Sequence, residues 1–161
     1  MTEPNEPSGR LADFLPYILS ITSNAVSGRI AEEYRTRFGL KVTEWRVMAV
    51  LGDGGPLTQR DLTALTLMDK VAVNRACKVL EERGLVSRAP NVQDGRSHHL
   101  ELTVDGLAMH DQAMPLVKDM EGKVFAPFSE SELEMFTDML RRIRASVGEI
   151  PETEEDADIA P

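Results

Sequence analysis

Residues 57–86 read LTQRDLTALTLMDKVAVNRACKVLEERGLV, and the fold is predicted mainly from these residues. Thr58 is a predicted N-cap for a short helix, because Asp61 follows it three residues later in a capping-box arrangement. A longer helix is predicted to begin near Asp69 and to end at Gly84. Two helices joined by a few residues form the centre of the predicted fold.

The longer helix has two chemically different sides. At about 100° per residue, its apolar side consists of small residues that we expect to pack on Leu62 and Leu65 of the short helix: Val73, Ala76, Cys77 and Leu80. The opposite side presents a methyl-bearing side chain, an amide, a guanidinium and an ammonium group: Val71, Asn74, Arg75 and Lys78. These groups can contact a thymine methyl, an adenine edge, a guanine edge and a phosphate, respectively. Taken alone, such a side is equally typical of a solvated helix.

A predicted hairpin directly after this helix favours contact with DNA. Its strands cover residues 85–90 and 98–102, and an Asp-Gly turn lies between them. Arg96 stands at the tip, with Asp94 placed to hold its guanidinium, and a narrow A·T-rich minor groove attracts such an arginine. Arg88 on the ascending strand is positioned to meet a phosphate. A surface Asp/Arg pair without function is the alternative.

The rest of the chain is predicted to be helical. A long amphipathic helix covers residues 14–38, and Thr43 is expected to cap a second helix. After the hairpin, Thr103 caps a long helix that Pro115 is expected to kink or interrupt. Ser129 begins the last helix, which runs through about residue 147.

This order of elements predicts a mainly α fold with a small β-hairpin wing, a winged helix-turn-helix at about 43–102. The outer helices, about 14–38 and 104–148, carry more apolar surface than one small winged domain can cover. A symmetric homodimer would bury that surface, with an intramolecular bundle as the alternative. The polar residues 1–10 and the acidic residues 149–161 are predicted to be disordered tails around a domain at 11–148.

The charge distribution allows a nucleic-acid partner despite a net charge of −9. Six acids in residues 149–161 account for two thirds of that charge, whereas residues 56–100 hold seven basic and five acidic residues. Binding would therefore depend on a local basic face and on salt.

The remaining composition predicts a cytoplasmic protein without a membrane segment. No apolar run is long enough to span a bilayer, and residues 1–10 lack the apolar core of a signal peptide. The single cysteine, Cys77, cannot form an internal disulfide, which fits a reducing compartment.

An ordered set of short motifs resembles the MarR family of bacterial regulators over roughly residues 14–147. The motifs are LTQRDL at 57–62, MDK at 68–70, LEERGLV at 80–86, D-x-R at 94–96 and LTxxG at 102–106. The resemblance implies a triangular homodimer whose outer helices interleave and whose two winged domains read a pseudo-palindromic operator.

The resemblance also implies which residues face DNA: Lys70, Val71, Asn74, Arg75, Lys78 and Arg96. We add Thr58 and Gln59 of the first motif, together with Arg88 and Asp94, to the expected DNA-binding set. Asn74 departs from the family, where Ser or Thr is usual, which puts the base preference in question.

A small-molecule effector is implied by the same resemblance, and the predicted function is a repressor released by that effector. We place Tyr17, Trp45 and Arg46 near its pocket, because an aromatic pair and a guanidinium suit an aromatic acid. Core packing is the alternative for Trp45.

Other functional classes find less support in the residues. Catalysis would have to use Cys77, His98, His99 and His110, and no catalytic, cofactor-binding or metal-ligating spacing connects them. Two alternatives stay open: a thiol-based redox sensor through Cys77, and a winged-helix adaptor that binds proteins.

Overall fold

The described part of the chain, residues 9–150 of a computed structural model, is mostly helical with one small antiparallel sheet. The predicted fold class is confirmed. Most of both predicted tails, residues 1–8 and 151–161, lies outside the described residues. The elements are α1 Leu15–Phe38, α2 Val42–Gly54, β1 Leu57–Thr58, α3 Gln59–Thr66, α4 Lys70–Glu82, β2 Val86–Pro90, β3 His98–Leu102, α5 Val104–Phe125 and α6 Glu130–Glu149, with a short 3-10 turn at Leu11–Asp13.

These elements fall into two compact units, residues up to 121 and residues from 122 onward. In the first unit, α1 has a proline in its first turn and ends at Gly39, which adopts the left-handed conformation with φ +64°. Glycine reaches this conformation without a steric penalty, so the predicted helix end is confirmed. Only the C-terminal half of α1 is buried, through Ala31 and Tyr34.

The helix starts depend on capping carboxylates. α3 begins as predicted, since the Thr58 hydroxyl accepts the backbone N–H of Asp61 at 3.1 Å. The expected cap at Thr43 is wrong: Lys41 is the N-cap of α2, and Glu44 accepts its backbone N–H at 2.9 Å. Glu44 occupies the third position of the helix, where its carboxylate reaches back to an otherwise unpaired donor.

The core of the first unit lies between α2, α4 and the sheet, with Leu40, Met48, Leu62, Leu80 and Leu100 almost completely buried. The apolar side of α4 is buried as predicted. Leu62 packs in this core, but Leu65 is 58% exposed, so its predicted role is wrong. α3 ends one residue after Leu65, and the chain turns away through Leu67 in a left-handed conformation.

The sheet has the order β1-β3-β2, with Leu57 and Arg88 both paired to Leu100. The sequence did not predict β1, because two residues are too few to show an alternating pattern. The wing connection spans residues 91–97 and closes with a turn in which Ser97 N–H donates to Asp94 O at 3.1 Å. The Asp-Gly pair therefore lies within a seven-residue loop.

Thr103 caps α5 as predicted, because its hydroxyl accepts the Gly106 N–H at 3.0 Å. Of the two outcomes expected at Pro115, the interruption is wrong, because the helix continues to Phe125; the kink stays a prediction. In the second unit, the rings of Phe125 and Phe128 pack at 6.4 Å, and Ser129 caps α6.

Candidate nucleic-acid interface

The exposed side of α4 gathers the side chains that the sequence predicted to face DNA. Asp69 caps the helix by accepting the Ala72 N–H at 2.8 Å, and the opposite side is fixed in the core. The exposed residues are Lys70, Val71, Asn74, Arg75 and Lys78. Val71 is 59% exposed, unusual for a valine on an otherwise well-packed helix. One rigid helix therefore presents two ammonium groups, a guanidinium, an amide and an apolar contact.

Gln59 joins this surface from the start of α3. Its side-chain nitrogen Nε2 donates to Oδ1 of Asn74 at 3.2 Å, across a groove between α3 and α4. The groove has a volume of about 750 Å³ and is lined by Gln59, Arg60, Thr63, Ala64, Lys70, Val71, Val73 and Asn74. With Oδ1 engaged, Asn74 keeps its two amide N–H groups for a partner.

Thr58 has a structural task at the same helix end. Its hydroxyl donates to the carboxylate of Asp61 at 2.8 Å, and its backbone N–H donates to the same carboxylate at 3.0 Å. These two hydrogen bonds hold the pKa of Asp61 below its usual value. The Thr58 hydroxyl is thus already engaged in capping α3.

A second groove of about 530 Å³ lies between the beginning of α2 and α4, and it adds residues that the sequence did not identify. Lys41 and Thr43 line it together with Arg75 and Lys78. No sequence pattern marked Lys41, because its place beside α4 results from the packing of α2. Arg60 was missed for the same reason, since it lines the first groove only through the approach of α3 to α4.

Arg88 connects the wing to α4. Its Nε and Nη2 atoms donate to the two carboxylate oxygens of Glu81, each at 3.0 Å. This bidentate pair raises the pKa of Arg88. A contact of Arg88 with phosphate, as the sequence suggested, would have to share or replace this ion pair.

Arg96 lies exposed in the wing loop, as its position in the hairpin predicted. The expected pairing of its guanidinium with Asp94 is wrong: the Asp94 carboxylate accepts the backbone N–H of Arg96 at 3.1 Å. The Arg96 and Asp94 side chains, both among the described residues, form no ion pair with each other. A short aspartate side chain reaches the backbone two residues ahead more easily than a distant guanidinium, so Asp94 shapes the loop instead.

The three expected effector residues occupy different environments. Trp45 is buried and its ring stacks between Tyr34, at 5.3 Å, and His110, at 5.8 Å. Burial also raises the pKa of Tyr34. Arg46, the next residue in α2, is exposed, and Tyr17 is 37% exposed in the first half of α1. Trp45 therefore belongs to the core, the alternative that the sequence left open.

The residues considered for catalysis lie on three different elements: Cys77 on α4, His98 and His99 on β3, and His110 on α5. Cys77 is completely buried, and burial raises the pKa of its thiol. Among residues 9–150, no group of three His, Cys, Asp or Glu side chains is placed to hold a metal ion.

Every helix in the same range is too short or too polar to cross a membrane.

Comparison with known proteins shows which family and which relatives this chain resembles. The family model described as "MarR family" matches residues 38–97, the C-terminal residue of α1 through the wing loop. The uncharacterized HTH-type transcriptional regulator YwoH of Bacillus subtilis is 28% identical over 69% of this chain and 80% of its own length. The HTH-type transcriptional repressor IacR of Pseudomonas putida is 23% identical over 86% of this chain and 82% of its own length. The chain is thus similar to the MarR family over residues 38–97, and to HTH-type transcriptional regulators over two thirds or more of its length.

Solved structures of bacterial DNA-binding regulators share the fold. A MarR/EmrR family regulator from Acinetobacter sp. ADP1 aligns with a TM-score of 0.81 at 22% identity, over 88% of this chain and all of that one. A mutant MarR of E. coli, complexed with operator DNA, aligns with a TM-score of 0.74 at 20% identity, over 84% and 99%. BpsR of Bordetella bronchiseptica, whose DNA binding is regulated by 6-hydroxynicotinic acid, aligns with a TM-score of 0.73 at 19% identity, over 81% and 98%.

Proposed function

We propose that this chain is a MarR-family regulator that binds double-stranded DNA as a homodimer and acts as a repressor that a small molecule releases. The observation that carries the proposal is the exposed side of α4, which groups Lys70, Val71, Asn74, Arg75 and Lys78 on one rigid helix. A helix of this kind fits the major groove of B-DNA, where each base pair presents a distinct pattern of donors and acceptors. The operator-bound MarR neighbour supports this mode of binding.

Each side chain has a proposed contact that follows from its chemistry. Arg75 would donate to the N7 and O6 atoms of guanine, and Val71 would contact a thymine methyl. Lys70 and Lys78 would pair with phosphates, as would Lys41 from the adjacent groove. Arg96 in the wing loop would enter the minor groove, where a narrow A·T-rich segment has a strong negative potential.

The dimer would form through the outer helices. The first half of α1 and the turn before it expose Leu11, Phe14, Leu15, Ile18 and Ile21, and α6 exposes Met135, Phe136, Met139, Ile143 and Val147. Exposed apolar surface on this scale is typical of an interface. A two-fold dimer would present two α4 helices to half-sites about 34–36 Å apart, which requires a palindromic operator.

The effector would be an aromatic acid bound where α1 meets the winged part. The relative regulated by 6-hydroxynicotinic acid supports this ligand class. Tyr17 and Arg46 are exposed and available to a ligand, whereas Trp45 would sense it through its stack with Tyr34 and His110. Because the stack joins α1, α2 and α5, a ligand that displaces one ring would disturb all three helices.

Selection of bound sequences from a random duplex library tests the proposal. We expect the full-length protein to enrich a palindrome, and anisotropy titrations to give affinity that falls steeply with salt. The double variant Asn74→Ala/Arg75→Ala should lose the sequence preference, while the matched double variant Gln112→Ala/Arg142→Ala, on α5 and α6, should keep it. Absence of binding even at low salt would instead favour the adaptor function.

Two further measurements test the assembly and the effector. Sedimentation should show a dimer at micromolar concentration, and Ile18→Glu should shift it toward monomer, because a charge would be buried in the interface. Adding 6-hydroxynicotinic acid or benzoic acid as probes should weaken operator binding. A well-folded monomer in the unchanged protein would contradict the palindromic mode.

A further inference from the structure

Arg83, the residue that follows α4, reaches across to the end of α1. Its Nη2 atom donates to the carbonyl oxygen of Phe38 at 2.7 Å, and its Nη1 atom donates to that of Gly39 at 3.3 Å. Forty-five residues of sequence separate Arg83 from Phe38. The carbonyl groups of a last helical turn have no partner inside the helix and carry a partial negative charge. The planar guanidinium matches two adjacent oxygens of this kind.

The backbone that carries Arg83 is itself fixed to α4. The Arg83 N–H donates to Val79 O at 3.0 Å, the Gly84 N–H to Glu81 O at 3.0 Å and the Leu85 N–H to Leu80 O at 2.9 Å. Gly84 adopts the left-handed conformation with φ +70°, which completes this helix-ending turn. The guanidinium therefore projects from a rigid turn rather than from a flexible loop.

We propose that Arg83 is a positioning residue that sets the orientation of the DNA-reading helix α4 relative to the dimerisation helix α1. This inference rests on the proposed function, because it requires that α1 joins the two subunits and that α4 reads DNA. Apolar packing between α1 and α2, through Tyr34 and Trp45, holds these elements together but is not directional. The two hydrogen bonds of Arg83 are directional and fix the rotation of one helix about the other.

The orientation matters because the half-sites of a palindrome have a fixed separation. α4 has 13 residues and is therefore about 20 Å long, so a rotation of about 10° at Arg83, directly after its C-terminal end, displaces its N-terminal end by about 3.4 Å, one base-pair step. A rigid joint would make the dimer select one half-site spacing. A loosened joint would tolerate several spacings and bind each of them with less avidity.

The experiment measures spacing selectivity, using the palindrome selected by the unchanged full-length protein. Affinities are compared for that duplex, for duplexes with one base pair added or removed between the half-sites, and for a single half-site. We expect the unchanged protein to bind the altered spacings about tenfold or more weakly. In Arg83→Gln the ratio should fall to about threefold or less, with half-site affinity within about twofold of the unchanged protein.

Two variants control the result. Arg37→Gln removes a cation from the same last turn of α1 but leaves the hydrogen bonds of Arg83 to the Phe38 and Gly39 carbonyl groups in place. This variant should keep the full spacing selectivity. Arg83→Lys retains the charge but not the planar pair of N–H donors, so the ratio of affinities for the selected and the altered spacings should be intermediate. If Arg83→Gln does not fold, Arg83→Lys replaces it in the experiment.

The outcomes separate the two proposals. If the unchanged protein selects no DNA sequence, the proposed function fails and this inference fails with it. If a palindrome is selected but Arg83→Gln keeps the full spacing selectivity, only the inference is overturned. A parallel loss on the half-site and on the full palindrome would also overturn it, because Arg83 would then stabilise the winged part alone.

Discussion

The side chains of Gln59 and Asn74 form a hydrogen bond across two helices, with Nε2 of Gln59 donating to Oδ1 of Asn74 at 3.2 Å. Recognition of adenine by an asparagine requires both its oxygen, to accept from N6, and its nitrogen, to donate to N7. Here Gln59 already donates to that oxygen from α3, so an adenine N6 donor would have to share it, whereas the Asn74 N–H groups face no such competition. The sequence alone suggested an adenine contact for Asn74, and the pairing favours bases that present acceptors.

Gln59→Ala should therefore change base preference more than overall affinity. Releasing Oδ1 of Asn74 should favour adenine at one position per half-site by about 1 kcal/mol, the low end for one base contact. Titrations against duplexes that carry each of the four base pairs at that position measure the change. Gln112→Ala, the same substitution on an exposed side of α5, is the control. An unaltered preference in Gln59→Ala would show that the hydrogen bond has no role in recognition.

Arg75→Ala should weaken operator binding by about 1–3 kcal/mol and relax discrimination at one base pair per half-site. The reason is its exposed place on α4, beside Asn74 and opposite the buried Val73 and Leu80. Lys78→Ala provides the contrast, because loss of a phosphate contact should weaken all sequences alike and reduce the salt dependence. Equal losses on operator and random DNA in Arg75→Ala would assign a phosphate contact to Arg75 as well.

Arg96→Ala should cost most affinity on operators with A·T-rich flanks, because a narrow minor groove rewards an inserted guanidinium. Asp94→Ala should cause a smaller loss in the same direction, since it removes the acceptor that holds the Arg96 backbone N–H. The measurement is affinity at fixed salt for operators that differ only in their flanks. Gln93→Ala, in the same loop, should bind as the unchanged protein does. Identical losses on A·T-rich and G·C-rich flanks would contradict the minor-groove role.

Gly106→Ala should destabilise the protein by about 1–3 kcal/mol, the usual cost of overpacking. A methyl group built on Gly106 overlaps the carbonyl oxygen of Leu85, where the start of α5 crosses the end of the α4–β2 turn. Gly122, also in α5, has no atom within 4 Å of its added methyl group, so Gly122→Ala should be neutral or stabilise by up to about 1 kcal/mol. Urea unfolding at one protein concentration compares both variants. Equal stabilities would show that α5 can shift away from Leu85 at little cost.

Cys77 should react slowly with thiol reagents in the folded protein. The side chain is completely buried and its thiol has a raised pKa, so the reactive thiolate is disfavoured and access requires opening of the core. Labelling at pH 8 should be slower than in urea by on the order of 100-fold or more. Rapid labelling of the folded protein, together with loss of DNA binding, would support the redox-sensor alternative.

The order and the ends of most helices could be predicted from local sequence patterns. Capping at Thr58, Asp69 and Ser129, and the left-handed glycine at position 39, are local effects in which a side chain or a missing Cβ acts on backbone a few residues away. Helical periodicity likewise identified the buried and exposed sides of α4, because a repeat of 3.6 residues fixes which side chains share a side.

Contacts between elements that are distant in sequence could not be predicted in this way, because they depend on the tertiary structure. Leu65 matched the apolar period of α3 yet is exposed, and Arg88 looked available for phosphate yet pairs with Glu81. Lys41 came to line a groove beside α4 because α2 packs there. Arg83 and the carbonyl group of Phe38 meet for the same reason. Such pairings depend on how whole helices pack against one another. A periodic sequence pattern describes a single helix and does not identify the residues that pack against it.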